Sequence, residues 1–418
     1  MELGPWASLA LWGDSAPSHK KDQVYLLSWR LLNGSCRKRF WIACFGKRQM
    51  CQCGCFGRHT LDTLFKVVAW SFRALLAGIY PAVDHDNQPF AHGTYRAALA
   101  GKPMKTQGAV ITKIGDWQWM KAALNLKSWR GEGPSLRACW LCKAAKRGAI
   151  FCYDFSAGAA WRRHRLDNAA YMEEHHTEGS FLSPIFQIPG FRLEFCRPDW
   201  MHCCCLGIVR MCSGSVMFEL FRQVGGTTNN HRRACGILVN MMKTASKAMH
   251  VSAPFDSLSL GMIRHSLQVK PSFNLKAAEG RYFLPVLHYM LTHMFDCTTR
   301  RQHLRLTCVK CLVDMYEEIK DENWRDDRSP MRLVELTRAH CIQYNALREG
   351  AEDELLWCLV PKHHLMFHVI ESTRGNPKLE WCYGDEDCIG DCANLARSCN
   401  PLYIPSSLIE KYRRTFEL

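Results

Sequence analysis

No apolar run in this chain of 418 residues reaches the ~20 residues that a membrane-spanning helix needs, so a membrane protein is not expected. The opening Ala7-Ser8-Leu9-Ala10-Leu11-Trp12 is short and lacks the basic flank of a secretory signal. Internal repeats and low-complexity segments are missing too. So are a glycine-rich phosphate cradle and a nucleophile elbow, which argues against a small-molecule substrate. Acid is scarce relative to base. Against 54 Lys and Arg stand 39 Asp and Glu, a formal charge of +15 that favours a polyanionic partner.

Cysteine is what the sequence has in quantity, 23 of them. Without a secretory signal a disulfide framework is not expected, which leaves metal ligation or plain buried thiols. A composition of 47% hydrophobic and 22% charged residues is globular. The length suits two or three domains, or one domain with a large insertion.

The N-terminal third reads as strands. Ala7 to Trp12 is apolar and meets a turn signal at Gly13-Asp14-Ser15-Ala16-Pro17. Gln23 to Leu32 is rich in β-formers and closes at Asn33-Gly34, and Arg39 to Phe45 follows as a third strand. Short connections predict an antiparallel meander. Leu61 to Ala77 then places Leu61, Leu64, Phe65, Val68, Phe72 and Leu75 at helical spacing, ended by Gly78 and Pro81. Ala109 to Ile114 reads as a fourth strand, followed by Asp116 and a helical Trp117 to Leu126. The order β-β-β-α-β-α is that of a ribonuclease H-like fold, an α/β mixed sheet with helices packed on it.

Strand signals then fade. Segments 203–222, 231–249, 281–296, 302–320 and 331–348 read as helices of one large, mostly helical insertion. Residues 384–399 space Ile389, Cys392, Leu395 and Cys399 by three or four, an amphipathic helix. The expected division is a first part of the core in 1–142, the insertion in 143–362, and a return to the core with the late helix in 363–418.

On such a sheet, two-metal phosphoryl transfer needs acids at adjacent central strand ends and one from a late helix, so that two ions ~3.5–4 Å apart hold the attacking and leaving oxygens. The chain offers Asp14 at the end of the first strand, Asp116 after the fourth and Glu386 in the late helix. Each also has a plain reading. Asp14 suits a turn, Asp116 can cap the helix after it, and Glu386 stands beside Asp385, Asp387 and Asp391 on what can be a solvated helix start.

Five segments follow in a telling order: Trp12-Gly13-Asp14-Ser15-Ala16-Pro17, Cys139-Trp140-Leu141-Cys142, Asp199-Trp200-Met201-His202, Pro361-Lys362-His363-His364-Leu365-Met366-Phe367-His368 and Trp381-Cys382-Tyr383-Gly384-Asp385-Glu386. The series resembles the DDE transposases of the CACTA and Kyakuja–Dileera–Zisupton kind, which carry a C-x-x-C and a D-x-x-H between the second acid and the last. Their late segment runs H-L-x-x-H, then W-x-Y-x-x-E. The resemblance implies that Asp14, Asp116 and Glu386 are the catalytic triad and hold catalytic Mg²⁺ or Mn²⁺. It further implies DNA as partner, cleavage and strand transfer as activity, a homo-oligomer and a nuclear location. Two features depart from the pattern. The family carries a DNA-binding or zinc-finger region before the first acid, here the fourteenth residue, and Cys382 and Cys388 flank Glu386. A domesticated or inactive descendant, now a zinc-stabilised DNA-binding or scaffolding protein, is the alternative, and a metal nuclease without transposition is a third reading.

Cys139 and Cys142 have the spacing that lets two thiolates share a tetrahedral ion, and His364 and His368, at i and i+4, project from one helix face. Together they make a Cys₂His₂ set for structural zinc, with His363 as competitor for His364; the layout resembles the zinc site of the V(D)J recombinase, a transposase relative. Cys51, Cys53, Cys55 and His59 are a second set, with Gly54 and Gly57 allowing tight turns. Cys203-Cys204-Cys205 lacks ligand spacing and reads as buried helix surface. Asp199 can orient His202 or cap a helix. Basic groups at Arg37-Lys38-Arg39, Lys143 with Lys146-Arg147, Arg162-Arg163-His164-Arg165 beside Trp161, and Arg300-Arg301 with His303 and Arg305 are candidate phosphate contacts.

Overall fold

The structure, a computed structural model, describes residues 6–19, 22–33, 38–55, 57–126, 137–177, 182–372 and 375–416. Gly34 of the expected turn and Arg37 of the first basic cluster lie outside these residues. The chain is mixed α/β and divides into two compact units. The first comprises Met1–Lys143, Arg165–Pro198 and Cys382–Leu418, and the second Ala144–His164 and Asp199–Trp381. Residues 165–198 thus group with the sheet, and the helix Pro361–Ser372 groups with the helical unit.

In the first unit, β1 (Trp6–His19), β2 (Asp22–Leu31), β3 (Phe40–Gly46) and β4 (Gln107–Ile114) form one sheet in the order β3-β2-β1-β4. β1 pairs antiparallel with β2, as β2 does with β3, and β4 lies parallel to β1. A parallel neighbour needs a crossover, and the helix Arg58–Ala77 supplies it. That helix buries Leu61, Phe65, Val68 and Phe72 and ends at Gly78, whose left-handed φ of 69° brings its N–H to the carbonyls of Ala74 and Leu75. Leu9, Ala10, Leu11 and Trp12 of β1 are all buried, the continuous apolar run of a strand covered on both faces. The outer edge of β4 carries one further parallel bridge, Lys113 to Cys196, with the Arg197 N–H donating to the Lys113 carbonyl at 3.2 Å.

The turn expected after Trp12 does not form. β1 does not stop at Trp12 but runs on to His19, so Gly13-Asp14-Ser15-Ala16-Pro17 is strand and not turn. Asp14 stands opposite Leu26, and Pro17 opposite Gln23. The reason is positional. β4 ends at Ile114 opposite Trp12, so beyond that point β1 pairs only with β2, and Pro17 needs no N–H on the open side.

The second unit is helical: Met201–Val209 continuing into Arg210–Gln223, then His231–Ala248, Ala277–His293, Arg300–Glu318, Ser329–Glu349 and Pro361–Ser372. Its stretch Met201–Gln223 is long and apolar enough to cross a membrane by length and composition, contrary to the sequence expectation, yet 83% of its most apolar window is buried within the protein. Cys203, Cys204 and Cys205 are buried in it, with Cys205 Sγ 2.8 Å from the Tyr316 hydroxyl. It is a core helix of this unit.

Candidate functional site

The sheet register places the two aspartates. Trp12 pairs with Ile114 on adjacent parallel strands, and Asp14 and Asp116 each follow two residues later. Asp116 is the N-cap of the helix Trp117–Ala123, its Oδ1 accepting the Trp119 N–H at 2.6 Å. Trp119 lies against both strand ends. A Cβ at Gly13 would sit 2.2 Å from its indole, and one at Gly115 would meet the indole at 2.5 Å and the Gly13 carbonyl at 2.8 Å. Gly13→Ala is therefore expected to displace a buried Trp and cost about 1–3 kcal/mol, read as a lower urea midpoint with unchanged slope. Between these elements sits Lys113, fully buried, with Nζ 3.6 Å from Met120 Sδ and 5.3 Å from the Trp119 ring centre. Burial pushes its ammonium down to about 8, opposed by Cys196, Asp116 and Asp14.

Glu386 comes from the first turn of the helix Tyr383–Arg397, which packs on β1 and β2. Acids in a first turn suit the positive end of the helix dipole. A carboxylate oxygen of Glu386 and one of Asp14 lie within 4.8 Å of each other, while the Ser15 N–H donates to Asp14 Oδ1 at 2.6 Å. The structure thus brings Asp14 and Glu386 together and sets Asp116 on the neighbouring strand end with one oxygen used as a cap. Two carboxylates so close repel unless a cation or a proton lies between them.

Asp385 was missed by sequence reasoning, which took it for surface charge. It is fully buried, with Arg39 Nε at 3.1 Å and Arg30 Nε at 3.6 Å. Gly384 makes the approach possible, since a Cβ there would meet the Arg39 guanidinium at 2.6 Å. This buried ion pair fastens the start of the helix, and so Glu386, to the sheet. The Gly before the Asp was the available signal.

Cys51, Cys53, Cys55 and His59 come together. Their ligand atoms all lie within 4.8 Å of one another, with Cys51 Sγ 3.2 Å from Cys53 Sγ, and His59 Nδ1 3.6 and 3.4 Å from those two sulfurs. A tetrahedral zinc with S and N ligands at ~2.3 and ~2.0 Å has ligand-to-ligand edges of about 3.5–3.8 Å, so the group can hold such an ion with small adjustment. Gly54 and Gly57, at φ 89° and 81°, supply the turns. The backbone N–H of His59 pulls the Cys55 thiol down to about 6, favouring the thiolate that a metal needs. Replacing Cys53 and Cys55 together by Ser is expected to remove about one zinc per chain while leaving the helical circular dichroism intact, as elemental analysis will read.

The other donor pairs are each preorganised within their own unit. Cys139 and Cys142 are buried in the first; the Leu141 N–H donates to Cys139 Sγ at 3.2 Å, and Arg137 donates to the carbonyls of Cys139 (3.2 Å) and Cys142 (3.3 Å). In the second, His364 and His368 are buried with their Nε2 atoms 3.1 Å apart, close to the ~3.3 Å edge between two nitrogens on one zinc. Trp161 packs edge-on against His364, at 4.6 Å between ring centres. His363 is turned elsewhere: its Nδ1 lies 3.1 Å from the Val360 N–H, and its ring stacks 6.2 Å from that of His340. His364 is accordingly the partner of His368. Asp199 both caps and orients, with Oδ1 accepting the His202 N–H at 3.1 Å and Oδ2 lying 2.8 Å from His202 Nδ1.

Part of the basic charge singled out as phosphate contact turns inward, while Lys143, Arg147, Arg163, Arg165 and Arg300 are exposed. Trp161 is fully buried, and Arg162 stacks on it at 4.4 Å and pairs with Glu371. Arg301 and Arg305 both pair with Glu219. Those side chains serve the packing of their own units. Set beside known protein families the chain matches none, and no curated protein matches it either.

Proposed function

We propose that this chain is the core of a DDE-type transposase that cleaves DNA and joins the freed strand to a second site. The observation that carries the reading is the convergence of the Asp14 and Glu386 carboxylates on β1, two residues past its last pairing with β4. Support comes also from the strand order β3-β2-β1-β4 with β4 parallel to β1, and from the single parallel bridge beyond β4, which fit a ribonuclease H-like sheet. Asp14 and Glu386 would hold Mg²⁺ or Mn²⁺, with Asp116 contributing the oxygen not used in its cap. The bound ions would supply Lewis acidity at the attacking and leaving oxygens. The residues themselves fix those oxygens' position, since the strand register and the Asp385 ion pair hold the carboxylates before substrate arrives. Water, and then a DNA 3′-hydroxyl, attacks a phosphodiester in line, and the 3′-oxygen of the broken bond leaves.

In the same reading the Cys139–Cys142 pair and the His364–His368 pair are each ligands of structural zinc. Dimerisation and a nuclear location belong to this proposal. A second reading, a descendant that binds DNA without cutting it, is favoured by the cap at Asp116 and the buried Lys113 ammonium among the acids. Joining separates the two. Supercoiled plasmid, a 3′-hydroxyl oligonucleotide and Mg²⁺ should yield covalently joined products. Cleavage without joining would indicate a metal nuclease, and salt-sensitive retention of DNA without any product would select the second reading.

A further inference from the structure

We propose that Cys212, Cys308 and His340 form a buried zinc site at the heart of the helical unit. Each comes from a different helix, Arg210–Gln223, Arg300–Glu318 and Ser329–Glu349. All three residues are fully buried. Their ligand atoms lie within 4.8 Å of one another, and Cys308 Sγ stands 3.3 Å from His340 Nδ1. That distance is near the ~3.5 Å edge between a sulfur and a nitrogen on one tetrahedral zinc.

The imidazole is not held as core histidines usually are. Its Nδ1 faces the Cys308 sulfur and, at 3.0 Å, the Cys308 carbonyl, while the buried Nε2 has no hydrogen-bond partner among the described residues. Buried ring nitrogens are normally paired on both sides, and here the Cys308 carbonyl and thiol together hold the Nδ1 side alone. Two thiols and an imidazole are soft donors, which select zinc over magnesium or calcium. Two more buried thiols lie close by, Cys311 one turn along from Cys308 and Cys341 beside His340. An ion here would tie the helix Arg210–Gln223 to the consecutive pair Arg300–Glu318 and Ser329–Glu349, so its binding free energy would be folding free energy of the unit. The site needs no DNA and does not depend on the carboxylates, and it stands whether or not the chain cleaves.

Diffraction from crystals of the full chain, purified without chelator, decides the matter. Anomalous maps above the zinc edge should show a peak between Cys212 Sγ, Cys308 Sγ and His340 Nδ1 that vanishes below the edge. Three ordered side chains with no peak would overturn the proposal, and a peak at the copper edge alone would overturn the choice of zinc. In solution, His340→Gln should lower the zinc content by one equivalent per chain while Cys53→Ser with Cys55→Ser lowers it by another. Unchanged zinc in a folded His340→Gln protein would contradict the site. If that variant fails to fold, the wild-type map gives the answer.

Discussion

Glu386→Gln is expected to lower metal-dependent DNA cleavage by at least about 10³-fold, equivalent to about 4 kcal/mol of transition-state stabilisation. The substitution keeps the size and the hydrogen-bonding capacity of the side chain in the first turn of Tyr383–Arg397. What it removes is the negative charge facing Asp14. Melting temperature and salt-dependent DNA retention should stay within error of wild type, and Asp14→Asn should reproduce the loss. Cleavage by Glu386→Gln at the wild-type rate would show that these acids do no chemistry. The neutral residue even relieves repulsion between two carboxylates, so the folded state is expected to be as stable or slightly more so.

Asp385→Ala is expected to be the most damaging single change to stability, by about 3–5 kcal/mol. Its carboxylate is fully buried between Arg39 and Arg30, whose side chains are themselves only 17% and 13% exposed. Removing the acid takes the Asp385 charge away from two guanidinium groups largely out of water, which is far costlier than losing a surface pair. The neighbouring Asp387 is exposed, and Asp387→Ala should fall within about 0.5 kcal/mol of wild type. Urea unfolding of the two variants side by side measures the contrast. Equal effects would mean that Asp385 is solvated and that the helix start is not fastened to the sheet as described. Since this pair also positions Glu386, Asp385→Ala should depress cleavage beyond what the unfolded fraction explains.

Periodicity carried much of the architecture. The strands at Gln23 to Leu32, Arg39 to Phe45 and Ala109 to Ile114, and the helices between 203 and 348, fall within a few residues of their places in the structure. These segments are long and their apolar spacing is set by burial, which local sequence records directly. The end of β1 was not legible. Gly13-Asp14-Ser15-Ala16-Pro17 has turn chemistry, and it is its pairing with Gln23 to Leu27 of β2 that holds it extended, with Pro17 tolerated because the β4 side is open beyond Trp12. Asp385 was illegible for a related reason. A carboxylate among Glu386 and Asp387 looks solvated until Arg30 and Arg39, hundreds of residues away in the chain, close on it. The Cys51, Cys53, Cys55 and His59 group was readable because all its members lie within nine residues, in one loop and the first turn of the helix after it. The Cys212, Cys308 and His340 group was not, because three helices must pack before its donors meet. Within the basic clusters, exposed Arg163 and Arg300 differ from buried Arg305. Spacing cannot tell an arginine that meets phosphate from one such as Arg305 that is buried against Glu219.

The central claim is that Asp14 and Glu386 together hold a divalent cation, and Mn²⁺ titration followed by electron paramagnetic resonance tests it most directly. With the cysteine and histidine sites saturated by zinc, wild-type protein should bind Mn²⁺ at one or two sites per chain, and the Asp14→Asn, Glu386→Gln double variant should lose that binding. Mn²⁺ binding of equal strength and number in the double variant, with both proteins folded, would contradict the account.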